Sequence, residues 1–435
     1  MTLNLETEIR RTNPDYVVFC PPSTDRATLV TGNEHLLVER NPCGGLFAVW
    51  TQSSHEGASD QHIAFSRSLD VGKGWSAPMT IVGPDAARGV GMASWAFPIV
   101  AKSGRLWVFY SRHQGVNDVF THTTGKLACI VSDDGGDTWS SETLIPMPRS
   151  IWDHPDAAIP ANCIVWQKPI RISDGRHVAG FTRWISQAVA PMPPGAAWWE
   201  AQSVVEFLRF ENIDAARTPA DLVVSTFMQN EAALRLPVRN QRGGTADGTR
   251  SVVQEPSIVE LPDGRLFCVM RTTLGSPYYT VSADQGETWT KPEVLLYRDG
   301  GAAIFHPISP CPIYPIEGTD DYVLFYHNHD GHFLNWTPND TGHHRRPICL
   351  ARAAFRPDAR QPLWFSEPWY FMDNGGISIT RTDLAMYAST TPLPDGSGIT
   401  LWYPERKFFL LGKNISAALV QSLPVPEAGQ VATTV

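Results

Sequence analysis

The sequence has no run of lysine and arginine, no paired cysteines and no long apolar stretch, and each absence removes a class of protein. Lys and Arg number 35 against 44 Asp and Glu, for a net charge of −9. Without a basic cluster there is no electrostatic footprint for nucleic acid or an anionic membrane, so neither is expected as a partner. No window approaches the roughly eighteen apolar residues of a membrane-spanning helix. The opening MTLNLETEIRR carries acids where a secretory leader has a basic start and an apolar core, so a cytoplasmic location is expected. The cysteines, at 20, 43, 129, 163, 268, 311 and 349, are odd in number, scattered and without a CxxC pair. Buried or incidental thiols are expected in place of a disulfide framework or a zinc site. The histidine-rich stretch HNHDGH (327–332) lacks the helical i, i+4 spacing of a zinc protease, and no metal or cofactor is expected. Long helical periodicity is also missing.

What is present is a repeat. Hydrophobic residues make up 43% of the 435 residues, enough for a large core. An apolar run, a glycine-bearing turn and a second apolar run with a polar or aromatic end recur six times. The copies are 35–50 (HLLVERNPCGGLFAVW), 97–112 (FPIVAKSGRLWVFYSR), 168–183 (KPIRISDGRHVAGFTR), 255–271, 311–326 (CPIYPIEGTDDYVLFY) and 388–403 (ASTTPLPDGSGITLWY). Further short β-rich runs such as KLACIVS and SVVEFLRF lie between them, giving each unit enough sequence for about four strands, the size of a propeller blade. The expectation is an all-β, six-bladed β-propeller over 30–415, with an N-terminal segment 1–29 and a C-terminal tail 416–435.

A second repeat, Ser-x-Asp-x-Gly-x-x-Trp, begins at Ser68, Ser132 and Ser282. Asp and Gly suit a tight turn and Trp supplies apolar area to pin it, so these aspartates are read as structural. These three Asp-boxes, together with QEPSIVELPDGRLFCVMRT (254–272), resemble the sialidase (neuraminidase) superfamily of BNR-repeat, six-bladed propellers over most of the chain.

In a propeller, equivalent inner-strand positions ring one mouth of the central channel. Aligning the copies gives one slot holding His35, Phe97, Lys168, Glu255, Cys311 and Ala388, and another holding Trp50, Arg112, Arg183, Arg271, Tyr326 and Tyr403. The resemblance implies that Glu255 activates a tyrosine nucleophile, Tyr387, that Arg271 and Arg345 or Arg346 bind an acidic group, and that Asp60 is the acid/base. A phenol with a pKa of about 10 is a weak nucleophile unless a carboxylate takes its proton, so Tyr387 and Glu255 must meet. The family's first-repeat arginine is missing: that stretch reads Gly32-Asn33-Glu34-His35. Lys168, Arg183, His35, Tyr326 and His327 are further candidates for binding substrate. The implied activity is retaining exo-hydrolysis of a terminal acidic sugar on an oligosaccharide or glycan. The alternatives are β-elimination at a uronic acid, in which Arg neutralises the carboxylate and His or Tyr removes the proton with His113 the best candidate base, and a carbohydrate-binding propeller without turnover.

Overall fold

A computed structural model of the chain describes residues 4–25, 28, 30–42, 44–239, 246–376, 379 and 381–427; Cys43 lies outside them. Six antiparallel sheets follow one another as the blades of a β-propeller. Blade one runs from Gly32–Arg40 through Leu46–Ser53 and His62–Ser68 to Met79–Val82. Blades two and four repeat that four-strand order, beginning at Ala93–Val100 and Val253–Glu260. Blades three and five each carry a fifth short strand. Each hairpin read from the sequence is found, because alternating apolar residues joined by a Gly turn can bury both faces only between neighbouring sheets.

The apolar core is a chain of inter-blade clusters. Phe97, Trp107, Phe109 and Phe210 join blades two and three. Val178, Phe207, Met270 and Trp289 join three and four, Phe267 and Tyr326 join four and five, and Phe325 and Tyr403 join five and six. Trp50, Trp402, Leu36 and Leu410 close six onto one.

Closure corrects the expected boundaries. Tyr16–Phe19, within the segment set apart as N-terminal, pairs with Phe409–Ser416 as the outer strand of blade six. Beyond 416 the helix Ala417–Ser422 packs Val420, and its capping residue Leu423, into the core between blades five and six. A ring can be sealed by strand pairing between distant chain segments, and that pairing leaves no periodic mark in either segment.

The Asp-boxes behave as turn staples. In the second, Ser132 Oγ donates to Asp134 Oδ1 at 2.8 Å and accepts from Gly136 N at 2.8 Å, while Asp134 Oδ1 accepts Thr138 N at 2.9 Å. Gly136 sits at φ 94, and a Cβ there would lie 2.3 Å from the ring of Phe65 in the preceding blade. The box therefore closes its own turn and docks it on the neighbouring sheet. Among the described residues no helix is long and apolar enough to cross a membrane, and no cluster of three His, Cys, Asp or Glu forms a metal site.

Gly136→Ala is expected to cost about 2–5 kcal/mol, the sum of a left-handed residue and an overpacked contact. Gly104→Ala, at φ 88 but facing open space, is expected to cost only about 1–2 kcal/mol. Denaturant unfolding of both variants checks the difference.

Candidate active site

The inner strands share a distortion that aims side chains into the channel. In blades one, two and four the pairing slips after Glu34, Ser94 and Gln254 and resumes at Leu37, Phe97 and Ser257, leaving two residues opposite one. Two of the bulged residues, Trp95 and Glu255, adopt φ 56 and 55. A threonine on the preceding blade fixes each: Trp95 N donates to Thr51 Oγ1 at 2.8 Å, and Glu255 N to Thr182 Oγ1 at 2.7 Å. Bulges re-aim side chains, and here they turn Trp95 and Glu255 toward one cavity of about 1010 Å³.

Register also revises the aligned slots. Trp95, not Phe97, is the counterpart of Glu255 and His35, and the residue opposite each slip-point partner is Thr51 in blade one, Ser111 in blade two and Arg271 in blade four. Thr182 plays the part of Thr51 in blade three. Arg112 and Arg183 are each one residue further on, and a one-residue step turns a strand side chain to the other face. Arg112 accordingly pairs with Glu142 at 2.7 Å. Arg183 is buried between Glu206 and Asp153.

At the cavity floor, Tyr387 Oη donates to Glu255 Oε1 at 2.9 Å. Arg271 Nη1 donates to Tyr387 Oη at 3.0 Å and lies 2.8 Å from Glu255 Oε2; its Nε and Nη2 hold Gln254 Oε1. Burial raises the Glu255 carboxyl above the usual range against the pull of Arg271. Burial, with the Glu255 charge, pushes the Tyr387 phenol up to about 12, while Arg271, Arg345 and Lys407 oppose the rise. Trp95 and Trp166 pack around the Tyr387 ring at 5.7 and 6.1 Å. Arg345 is also buried in this wall, its Nη2 donating to Ile308 O at 2.7 Å and its guanidinium over Trp198. Among the described residues no carboxylate lies within 4 Å of it.

Opposite lies a group that the repeat alignment missed. Lys407 Nζ sits 3.0 Å from Glu34 Oε2 and 2.5 Å from Glu56 Oε2, and 5.2 Å above the Tyr387 ring. Burial and the neighbouring Glu56 charge raise Glu34 to about 7. Burial acts upward on Glu56 too, but Lys407, His122 and Arg381 overcome it and hold that carboxyl below the ordinary range. Arg381, tied to Asp383 at 2.6 Å, and His122 complete this side. Glu56 precedes Asp60 by four residues in the same loop, whereas Lys407 follows the sixth repeat in a turn without any motif.

The remaining candidates stand outside the cavity lining. Asp60 closes its own loop, accepting Ser54 N at 2.9 Å. His113 Nε2 meets Asn117 Oδ1 at 2.8 Å, and Arg346 is paired with Asp373. Lys168 donates to Val38 O and Thr390 O and pairs with Glu39. His35 packs tilted against Trp95 and contacts Ala96 O, Tyr326 contacts Tyr297 Oη, and His327 lies between Ser309 and Pro347 O. Each already has its partner in the packing, which strand spacing alone does not reveal.

Comparison with known proteins follows the same lines. The chain superposes on the NanB sialidase from Streptococcus pneumoniae with a TM-score of 0.60 at 14% identity, covering 93% of this chain and 71% of that one. The intramolecular trans-sialidase from Ruminococcus gnavus gives 0.59 at 14% identity, covering 94% and 98%. A protein of unknown function from Dyadobacter fermentans gives 0.59 at 12%, covering 92% and 96%. A search of curated proteins finds no match. A family model described as a BNR repeat-like domain matches residues 44–306, more than half of the chain. With its Asp-boxes, six blades and this match, the chain belongs to the BNR repeat-like family.

Proposed function

We propose that the protein is a retaining exo-glycosidase that removes a terminal acidic sugar from an oligosaccharide or glycan. The observation that carries this reading is the Tyr387 phenol donating to Glu255 at 2.9 Å while Arg271 touches both, at the floor of an open cavity. Glu255 takes the phenol proton as Tyr387 Oη bonds to the anomeric carbon and the bond to the leaving oxygen breaks. The positive charges of Arg271, Arg345 and Lys407 stabilise the developing phenolate.

The leaving oxygen takes its proton from the carboxylate pair Glu34 and Glu56. The two share Lys407, so they titrate as a unit, with one proton held near neutrality. Water then gives a proton back to the pair and its oxygen displaces Tyr387, which recovers its proton from Glu255. Arg345, a buried guanidinium with no carboxylate in contact among the described residues, is suited to the acidic group of the substrate. That the solved relatives include proteins named as sialidases agrees with this class of substrate. His113, the candidate base of the β-elimination reading, faces Asn117 and is not among the residues lining the cavity.

A panel of 4-methylumbelliferyl glycosides of nonulosonic and uronic acids, read by fluorescence, together with 4-linked uronic acid oligosaccharides, read by absorbance of unsaturated uronate, tests the reading. Release of the sugar as the retained anomer supports it. An unsaturated product points to elimination, and no turnover across the panel points to a binding propeller.

Glu255→Gln is expected to lower kcat by roughly 10² to 10⁴-fold. The acidic limb of kcat/KM in the parent protein should lie above the ordinary glutamate value of about 4.3, because Glu255 must be ionised to accept the proton and burial raises its pKa.

Arg345→Ala is expected to raise KM for the acidic substrate by about ten- to a hundredfold, the loss of one charge-assisted hydrogen bond. Its effect on a neutral glycoside should be small. Steady-state kinetics on matched acidic and amide substrates separates the two.

A further inference from the structure

The turn that brings Lys407 into the cavity is held from the opposite end of the chain. Arg406 and Lys407 are consecutive non-glycine residues at φ 53 and 57. L-residues keep that left-handed conformation only where their surroundings impose it, and two in succession are rarer still. Three main-chain contacts contribute: Arg406 N donates to Asp383 O at 3.1 Å, Phe408 N to Glu405 O at 3.0 Å, and Asn33 N to Lys407 O at 2.9 Å.

The side chain of Arg406 supplies the rest. It is completely buried. Its Nη1 donates to Glu8 Oε2 at 2.7 Å and its Nη2 to Glu8 O at 2.8 Å, while Nε lies 2.7 Å from Glu405 Oε1. Glu8 belongs to the short helix Leu5–Ile9, and the same carboxylate is gripped by Arg11 through two contacts of 2.8 Å. Arg406 also lines the cavity beside Lys407. A buried guanidinium that satisfies both a carboxylate and a carbonyl of one residue cannot rotate without losing both, so it fixes the backbone that bears it.

We propose that Glu8 and Arg406 are positioning residues of the active site: the helix Leu5–Ile9 clamps the Arg406–Lys407 turn in its left-handed form and so sets the Lys407 ammonium between Glu34 and Glu56. The functional weight of the clamp rests on the reading of that carboxylate pair as the acid/base. With the clamp open, the turn relaxes to ordinary backbone angles and the lysine withdraws. The buried carboxylate of Glu34 and the half-buried one of Glu56 then face each other without their shared cation, and the proton they hold between them is lost only at higher pH.

Reductive dimethylation of the full-length protein, followed by peptide mass spectrometry, tests the placement without needing turnover. Lys126 is exposed and serves as the reference amine. In the parent protein Lys407 should react at least about tenfold more slowly than Lys126, since, against the opposing effect of burial, the charges of Glu34 and Glu56 hold it protonated. In Glu8→Gln that protection should fall by about tenfold, each pKa unit returned being worth that factor. In Glu6→Gln, on the exposed side of the same helix, it should be unchanged.

Circular dichroism melting identifies folded variants, and Arg406→Lys, which keeps the charge but loses the two-pronged grip, replaces Glu8→Gln if the latter does not fold. Continued protection of Lys407 in a folded Glu8→Gln or Arg406→Lys variant overturns the proposal. With a 4-methylumbelliferyl glycoside that the parent protein cleaves, the basic limb of the rate profile should move upward in Glu8→Gln and stay in place in Glu6→Gln; an unmoved limb overturns the functional part. If the labelling changes as expected but the parent protein cleaves no glycoside, the clamp stands and the glycosidase reading falls.

Discussion

A carboxylate as deeply buried as that of Glu255 is kept in a fold only when cations and hydrogen-bond donors surround it, and the centre of this propeller is arranged around that requirement. Arg271 answers it directly, and the Tyr387 hydroxyl donates to its other oxygen. The three groups come from three places: a bulged inner strand, the hairpin partner of that strand, and the approach to blade six. Desolvation makes the contacts strong, and in the proposed reaction it also favours proton transfer, because the phenol and the carboxyl both resist ionisation and stand 2.9 Å apart.

The second charged group obeys the same rule with the signs rearranged. Where the resemblance leads one to expect an arginine at the start of blade one, Glu34 is present, and its cation arrives from the turn at Arg406 and Lys407. A lysine is a compact point charge without a planar fork, so it can stand between two carboxylates and contact both. Ring closure brings these partners together: the chain's early strand Tyr16–Phe19 seals blade six, and the helix just before it reaches Arg406. Closure is therefore a feature of the site as well as of the scaffold.

Much of the architecture was legible before any coordinates. Six hairpin repeats and three Asp-boxes are local patterns, written in alternating apolar residues and in turn residues whose chemistry is fixed by their own few neighbours. Glu255, Tyr387, Arg271 and Arg345 are also found at the cavity. Slot counting failed at Phe97, Arg112, Lys168 and Arg183. The bulges insert one residue into the inner strands of blades one, two and four, the inner edge of blade three is split into Asn162–Ile164 and Ile170–Arg171, and a strand's side-chain period of two turns each miscount into the opposite face. Asp60 was drawn by its place in a loop, where Glu56 is the carboxylate that faces inward.

The sequence alone determined the blade count, the turn staples and the type of residue available for chemistry, because each depends on contacts between residues close together in the chain. Only the tertiary structure decided which charges meet. Glu34, Glu56 and Lys407 are separated by up to several hundred residues and share no motif, yet they stand within 3.0 Å of a common atom. Their meeting depends on ring closure, on the left-handed turn at Arg406 and Lys407 and on the Glu8 clamp behind it. Such long-range charge pairing is enforced by the cost of burying an ion alone, a constraint that acts on the folded chain and leaves no periodic signal along it.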